Sequence, residues 1–182
     1  MADDGEKTLK DSGTILLCGE INTENIKKAA IDLLEVDSRP NAKYDHIKLI
    51  INSNGGSTRD GFMLIDMFEL CRHPIHTIGL GICASMGFMI LCSGAKGSRT
   101  ITGNTSLLCH QFSWYSGGKR HELVSHRKEE DFLHERLIRH LVKHTKLKEK
   151  EVVKHLMPET DVWLTPDQAI EYGIVDEIIN SQ

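Results

Sequence analysis

The segment HTIGLGICASMGFMILC, residues 76–92, predicts a buried strand that turns directly into a buried helix. The part up to Ala84 is apolar and contains β-branched side chains, as in a strand of a parallel sheet. The part from Ser85 to Cys92 is small or apolar on every face, which favours a buried helix. Because Ser85 stands at the junction, a sharp turn would expose its hydroxyl at the positive end of the helix dipole.

The alternation of strand and helix extends upstream of this segment. TILLCGEI predicts a strand at 14–21, and HIKLIIN at 46–52 predicts a second strand that ends at Asn52. Between them, apolar residues at helical spacing predict an amphipathic helix: Ile26, Ala29, Ala30, Leu33 and Leu34. SNGGS at 53–57 predicts a turn, and GFMLIDMFELC at 61–71 predicts a helix buried against the sheet.

Downstream, SRTIT at 98–102 and TSLLCH at 105–110 predict two short strands. Residues 119–145 are highly charged and predict a projecting helix with one apolar face: Leu133, Leu137, Ile138, Leu141 and Val142. TPDQ at 165–168 has the pattern of a helix start with a capping box, and IVDEII at 174–179 predicts a last strand after Gly173. The regular alternation predicts an α/β fold.

Length and composition limit the class of protein. The chain has 182 residues, of which 40% are hydrophobic, so one domain with one substantial core is expected. A formal charge of −4 provides no basic surface for phosphates, which argues against a nucleic-acid partner. Met1–Thr8 lack the basic start and apolar run of a secretory signal, and no segment reaches the roughly 18 apolar residues of a membrane span. We therefore predict a cytoplasmic protein with no membrane partner.

The cysteines and histidines do not form a recognisable metal or disulfide pattern. The five cysteines lie in apolar segments without paired spacing and are predicted to be buried, reduced thiols: Cys18, Cys71, Cys83, Cys92 and Cys109. The ten histidines contain no HExxH pair, and five of them fall on the charged segment, where a solvated helix is predicted: His121, His126, His134, His140 and His144. We predict neither a metal site nor a cofactor.

Ser85 is the candidate nucleophile. A serine needs a base that removes its proton, and His110 follows an apolar strand at a point where its side chain could face the same cleft. The base needs a carboxylate that orients the imidazole, and Asp161 lies in a loop before the capped helix. Each residue also has a purely structural interpretation: a helix N-cap serine, a core histidine and a loop-capping aspartate.

Acyl transfer also needs hydrogen-bond donors for the oxyanion of the tetrahedral intermediate. Gly55-Gly56-Ser57 follows a buried strand, so its backbone N–H groups could face the cleft. The predicted pair of donors is the N–H of Gly56 or Ser57 together with that of Met86, the residue after the nucleophile. The structural alternative is an ordinary turn.

Several of these segments together resemble the ClpP family, the caseinolytic serine peptidases: INSNGG (51–56), GICASMG (81–87), SGAKGSR (93–99), CHQ (109–111), and Asp161 with LTPDQAIEYGIVDEII. The resemblance extends from about Leu16 to Ile179 and matches Ser85, His110 and Asp161 to the family's triad and Gly56, Ser57 and Met86 to its oxyanion hole. It implies a crotonase-like spiral of βαβ units with a projecting handle helix at about 113–145.

The resemblance also implies an assembly and partners. Two stacked heptameric rings would enclose a proteolytic chamber, an AAA+ unfoldase would supply unfolded polypeptides, and the peptidase would need no nucleotide itself. No Walker A loop occurs in the sequence. Residues 14–182 are expected to form a single peptidase domain, preceded at 1–13 by a flexible segment that is either an axial loop or a propeptide.

The sequence departs from the family pattern at several positions. Asn54 replaces a proline in the glycine loop and, since asparagine tolerates positive φ, leaves that loop intact. Phe112 replaces the proline that follows His-Gln. Lys48, Ile50 and Leu70 stand where the family carries aromatic residues for docking the unfoldase.

Two other functions are compatible with this sequence. One is a catalytically inactive, ClpP-like structural subunit that modulates a partner ring, because a fold does not fix a function. The other is an acyl-CoA enzyme of the crotonase type, since that superfamily shares the spiral fold. Ser85 together with His110 and the ending YGIVDEI favours the peptidase.

Overall fold

The strand predicted at 76–84 lies at the centre of a seven-stranded sheet in the computed structural model, which describes residues 8–179. The strands are β1 (Thr14–Ile21), β2 (Ile47–Gly56), β3 (Ile75–Ala84), β4 (Arg99–Thr102), β5 (Ser106–Cys109), β6 (Val162–Leu164) and β7 (Glu177–Ile179). The helices are α1 (Thr23–Asp37), α2 (Thr58–Leu70), α3 (Met86–Cys92), α4 (Arg120–His144), α5 (Glu149–His155) and α6 (Pro166–Glu171).

The sheet is parallel apart from one pair of strands. The hydrogen-bonded order is β1-β2-β3-β4-β7, and β5 pairs with both β3 and β6. Residues 77–79 of β3 pair with β4, and residues 82–84 of the same strand pair with β5. Strands β4 and β5 therefore pair one after the other with successive segments of β3, as in a spiral. This confirms the predicted α/β fold built from βαβ units.

Helix α3, which follows Ser85, is the most deeply buried element. All its residues are buried because no charged side chain interrupts MGFMILC. Burial of each large apolar side chain contributes about 1.5–3 kcal/mol. The buried residues of α1 (Ile26, Ala29, Ala30 and Leu33) and those of α2 belong to the same core. Leu34, predicted on the buried face of α1, is 56% exposed.

Strand β2 is longer than the sequence predicted. It continues past Asn52 through the glycines to Gly56, so the turn predicted at 53–57 is wrong. The pairing continues because Ser53 is opposite Cys83 on β3 and Gly56 is opposite Ile21 on β1. Both ladders change register there, and glycine accommodates such an irregularity because it tolerates positive φ.

The predicted projecting helix is α4, which has 25 residues and is therefore about 37 Å long. Its first half, up to Phe132, is largely exposed. Its second half packs on the core through the predicted apolar face: Leu133, Leu137, Ile138 and Leu141. Val142, which was included in that face, is 38% exposed.

The first described residues are attached to the body of the protein. Leu9–Ser12 form a 3₁₀ turn, in which Lys10 Nζ lies 2.8 Å from a carboxylate oxygen of Asp32 and 2.7 Å from one of Glu35 on α1. Residues 8–13 of the predicted flexible segment are thus held by hydrogen bonds and ion pairs. The rest of that segment, residues 1–7, lies outside the described residues.

An ion pair between the buried Arg99 and the more exposed Asp176 attaches the C-terminal segment to the sheet. The guanidinium of Arg99, 4% exposed, binds both carboxylate oxygens of Asp176, at 2.8 and 2.6 Å. These contacts lower the pKa of Asp176, against the opposing effect of its burial. The last strand begins at Glu177 rather than at residue 174, because Ile174 and Val175 enter the core instead of pairing.

The predicted burial of the cysteines is correct for three of the five. Cys83, Cys92 and Cys109 are buried, and burial raises the pKa values of Cys83 and Cys109 to about 12. Cys71 is half-buried, and Cys18 is exposed because it lies on the outward side of the edge strand β1. All five are free thiols. In the region from residue 8 to residue 179, no helix is long and apolar enough to cross a membrane.

His140 contradicts the prediction that the histidines of α4 are solvated. It is 8% exposed, and its Nε2 lies 3.1 Å from Ser93 Oγ and 3.3 Å from the carbonyl oxygen of Met89 on α3. Burial lowers its pKa to about 4. The burial of His140 was not apparent from the highly charged sequence of α4. It arises because the second half of this helix packs against α3.

The free energy of unfolding should therefore fall as the pH falls from about 6.5 to about 4. In that window the unfolded chain protonates His140 and the folded chain does not, so each decrease in pH favours unfolding. The contribution of His140 to the free energy of unfolding is complete above about pH 6.5, and about 2–3 kcal/mol of that free energy is lost by pH 4.

Urea unfolding at several pH values would measure this effect. His140→Gln retains an amide donor but does not titrate, so its stability should vary less across the window. His121→Gln, at an exposed position of the same helix, should keep the slope of the wild-type protein. Parallel curves for wild type and His140→Gln would contradict the assignment.

Candidate active site

Ser85 occupies a sharp turn between β3 and α3. Its backbone has φ 53° and ψ −120°, a conformation that non-glycine residues rarely adopt and that often marks functional sites. The turn is fixed by a 2.9 Å hydrogen bond from the Ser85 N–H to the carbonyl of Leu108 on β5. The Ser85 side chain makes no capping hydrogen bond to α3, so it is not an ordinary N-cap serine.

His110 and Asp161 are brought together by the antiparallel pairing of β5 and β6. Cys109 is opposite Val162, so the next residue of one strand, His110, meets the preceding residue of the other, Asp161. His110 Nδ1 lies 3.3 Å from Asp161 Oδ1. His110 Nδ1 and the carboxylate are within ion-pair distance but form no hydrogen bond in the described chain, and Nε2 is the imidazole nitrogen that remains for another partner. Both side chains are partly exposed, which does not fit a buried core histidine.

Ser85 and His110 line the same small cavity. The parallel pairing of β3 with β5 explains this. Ala84 is opposite Leu108, so Ser85 and His110, which follow them, both lie at the carboxyl ends of these two strands. Within the described chain, no hydrogen bond joins Ser85 Oγ to the His110 ring. Catalytic hydrogen bonds are often long in free enzymes and shorten when substrate binds.

The predicted oxyanion donors need one correction. The N–H of Ser57 donates to the carbonyl of Ile21 at 2.7 Å, and its hydroxyl caps α2, so Ser57 is not a free donor. Gly56, which is opposite Ile21 on β1, is therefore the remaining candidate of the pair Gly56 or Ser57. Met86 is the first residue of α3, where the N–H has no acceptor within its own helix.

Gly55, which the sequence analysis named only as part of the glycine segment and not as one of the donors, lies directly against the Ser85 turn. It has φ 95°, and a Cβ at this position would lie 2.5 Å from Ser85 Cβ and 2.8 Å from the carbonyl oxygen of Ala84. Only a glycine therefore lets β2 approach the Ser85 turn this closely. In the sequence, the only indication of this role was the pair of glycines after a buried strand. That pattern does not show that Gly55 lies next to Ser85.

The cavity beside Ser85 is small and mainly apolar. It measures about 20 Å³, and besides Ser85 and His110 its walls include Met86, Met89 and Phe112. Three larger cavities, of about 420, 450 and 240 Å³, lie at the first strand, along the last turns of α4 and on α1. None of them contains a residue of the predicted site, so size alone does not identify the site here.

The described residues contain no group of three or more His, Cys, Asp or Glu side chains that could hold a metal ion. The constellation around Ser85 instead combines a hydroxyl, an imidazole, a carboxylate and backbone N–H groups. These are the components of nucleophilic acyl transfer.

Comparison with known proteins agrees with this interpretation. The family described as Clp protease matches residues 2–182. An ATP-dependent Clp protease proteolytic subunit 2 of Treponema denticola is 32% identical over 168 residues, which cover 92% of this chain and 82% of that protein. A subunit 1 of Prochlorococcus marinus is 30% identical over 92% of this chain and 84% of its own length. A subunit 2 of Thermobifida fusca is 30% identical over 74% of this chain and 66% of its own length.

Proposed function

Since the chain belongs to the Clp protease family, we propose that it is a self-compartmentalised serine endopeptidase that hydrolyses unfolded polypeptides. The observation that carries the proposal is the Ser85 turn. Its hydroxyl is free of capping bonds, lines a cavity with His110, and has the His110–Asp161 pair beside it. A subunit with only a structural role has no need for this combination.

In the proposed first step, Ser85 Oγ attacks the carbonyl carbon of the scissile peptide bond. His110 Nε2 accepts the hydroxyl proton, and Asp161 stabilises the imidazolium that forms. The carbonyl π electrons move to oxygen, and the N–H groups of Gly56 and Met86 donate to that oxyanion. A pair of such donors is effective because it is already oriented before the reaction.

The tetrahedral intermediate then collapses. His110 returns the proton to the leaving amine, the C–N bond breaks, and an acyl ester on Ser85 remains. A water molecule attacks this ester with His110 again acting as base, which releases the second product and regenerates the hydroxyl. No cofactor is required in this sequence.

We further propose that the chain assembles into two stacked heptameric rings in the cytoplasm and works with an AAA+ unfoldase. The related proteins are named as ATP-dependent proteolytic subunits, which supports an ATPase partner. A chamber also has a physical logic, because a broadly specific protease is safe in a cell only if compact proteins cannot reach its sites.

Active-site labelling tests the proposal. A fluorophosphonate reacts much faster with an activated serine than with other hydroxyl groups, so one label per subunit is expected at short reaction times, on the peptide that contains Ser85. Mass spectrometry of the intact protein and of its peptides would measure this, and negative-stain images would report the rings. Assembled rings that take no label would favour the inactive structural subunit, and label on another serine would refute the assignment.

A further inference from the structure

The cavity beside Ser85 is placed to receive the substrate side chain that precedes the scissile bond. Its walls include the nucleophile, the base His110, and Met86, whose N–H is a proposed oxyanion donor. The acyl carbon must therefore lie at the mouth of this cavity. This inference rests on the proposed function and concerns which substrates that function would accept.

The volume of the cavity limits what it can hold. At about 20 Å³ it has room for little more than one water-sized group, which needs roughly 10–15 Å³ by the same kind of measure. A methyl group is of this size. An isobutyl or benzyl group would require a wall to move.

Most of the walls are fixed by the core. Met86, Met89 and Met157 are each at most 4% exposed, and Leu141 is fully buried on α4. Displacing any of them would disturb the packing of α3 and α4, and densely packed cores resist such changes. These residues therefore form a part of the cavity wall that does not move easily to admit a larger side chain.

Phe112 is one of the half-buried walls of the cavity, together with Thr58 and His110. Its ring makes an edge-to-face contact with Trp114, with centroids 6.3 Å apart, and a tilted contact with His134 at 6.4 Å. These contacts hold the ring beside the cavity instead of leaving it free in solvent.

We propose that Phe112 is a specificity-determining residue that restricts cleavage to bonds preceded by small side chains such as alanine. It acts by filling space that a larger side chain would otherwise occupy. Substrates with leucine at that position should be poor because Phe112 must move before the ester can form.

Two fluorogenic peptide amides that differ only in Ala or Leu before the leaving group would test this inference. For the wild-type protein, kcat/KM should be at least about tenfold higher for the Ala peptide, the range that hydrophobic pockets achieve. Phe112→Ala should shift this ratio towards Leu by at least about tenfold, and Phe112→Val should lie between the two. The smaller Val change guards against misfolding of the Ala variant.

Phe132→Ala is the matched control, because it removes an aromatic ring that is 63% exposed and does not line the cavity. It should leave the ratio unchanged. A wild-type preference for Leu, or an unchanged ratio in both Phe112 variants, would overturn the inference. If Ser85 takes the phosphonate label under those conditions, the proposed function survives that failure, whereas absence of both labelling and cleavage would refute the two together.

Discussion

Ser85→Ala is expected to lower kcat for a short chromogenic peptide by about 10⁶-fold, the cost of removing the catalytic serine of a well-studied triad enzyme. The oxyanion donors and the substrate pocket remain, so a residual rate above that of uncatalysed hydrolysis should persist. Thermal unfolding should change little, because the Ser85 side chain makes no capping hydrogen bond that the substitution would remove. Steady-state hydrolysis by the purified protein would measure the loss.

The matched control is Ser106→Ala, which removes an exposed hydroxyl from β5, the strand that leads to His110. It should retain wild-type rates. In the proposed mechanism Ser85 and His110 serve the same proton transfer, so the double variant Ser85→Ala, His110→Ala should be no slower than Ser85→Ala alone. Multiplicative losses in the double variant, or cleavage that persists after Ser85→Ala, would show that the two residues do not act as a unit.

Most elements of the fold were predictable because their signals are local. The apolar runs of β1 and β3, the helical spacing in α1 and the capping box at Thr165 each depend on neighbouring residues only. The extension of β2 to Gly56 was missed for the opposite reason. Its glycines resemble a turn in sequence and are held in a strand by pairing with β1 and β3, which the local sequence does not encode.

The residue types of the candidate site were predictable, and their geometry was not. His110 and Asp161 are 51 positions apart, and their contact follows from the β5–β6 register, in which Cys109 faces Val162. The exclusion of Ser57 as an oxyanion donor depends on its bond to Ile21, a contact between two strands. Tertiary pairing therefore decided which of the candidate donors was free.

Gly55→Ala is expected to lower kcat/KM by at least about 100-fold although Gly55 supplies no side chain to the reaction. The new Cβ would lie 2.5 Å from Ser85 Cβ and 2.8 Å from the carbonyl of Ala84, and the backbone φ of 95° is itself unfavourable for alanine. Either β2 or the Ser85 turn must therefore move. A displacement of about 1 Å in a catalytic group typically costs about 10²-fold in rate.

The control for this substitution is Gly103→Ala, where the added Cβ would meet no heavy atom within 4 Å and no positive φ is required. It should leave both the rate and the melting temperature close to those of the wild-type protein. Circular dichroism at the assay temperature would establish that Gly55→Ala remains folded, and its rate of fluorophosphonate labelling should fall in parallel with kcat/KM. A folded Gly55→Ala protein with wild-type labelling and turnover would mean that the close approach of β2 to Ser85 plays no part in catalysis.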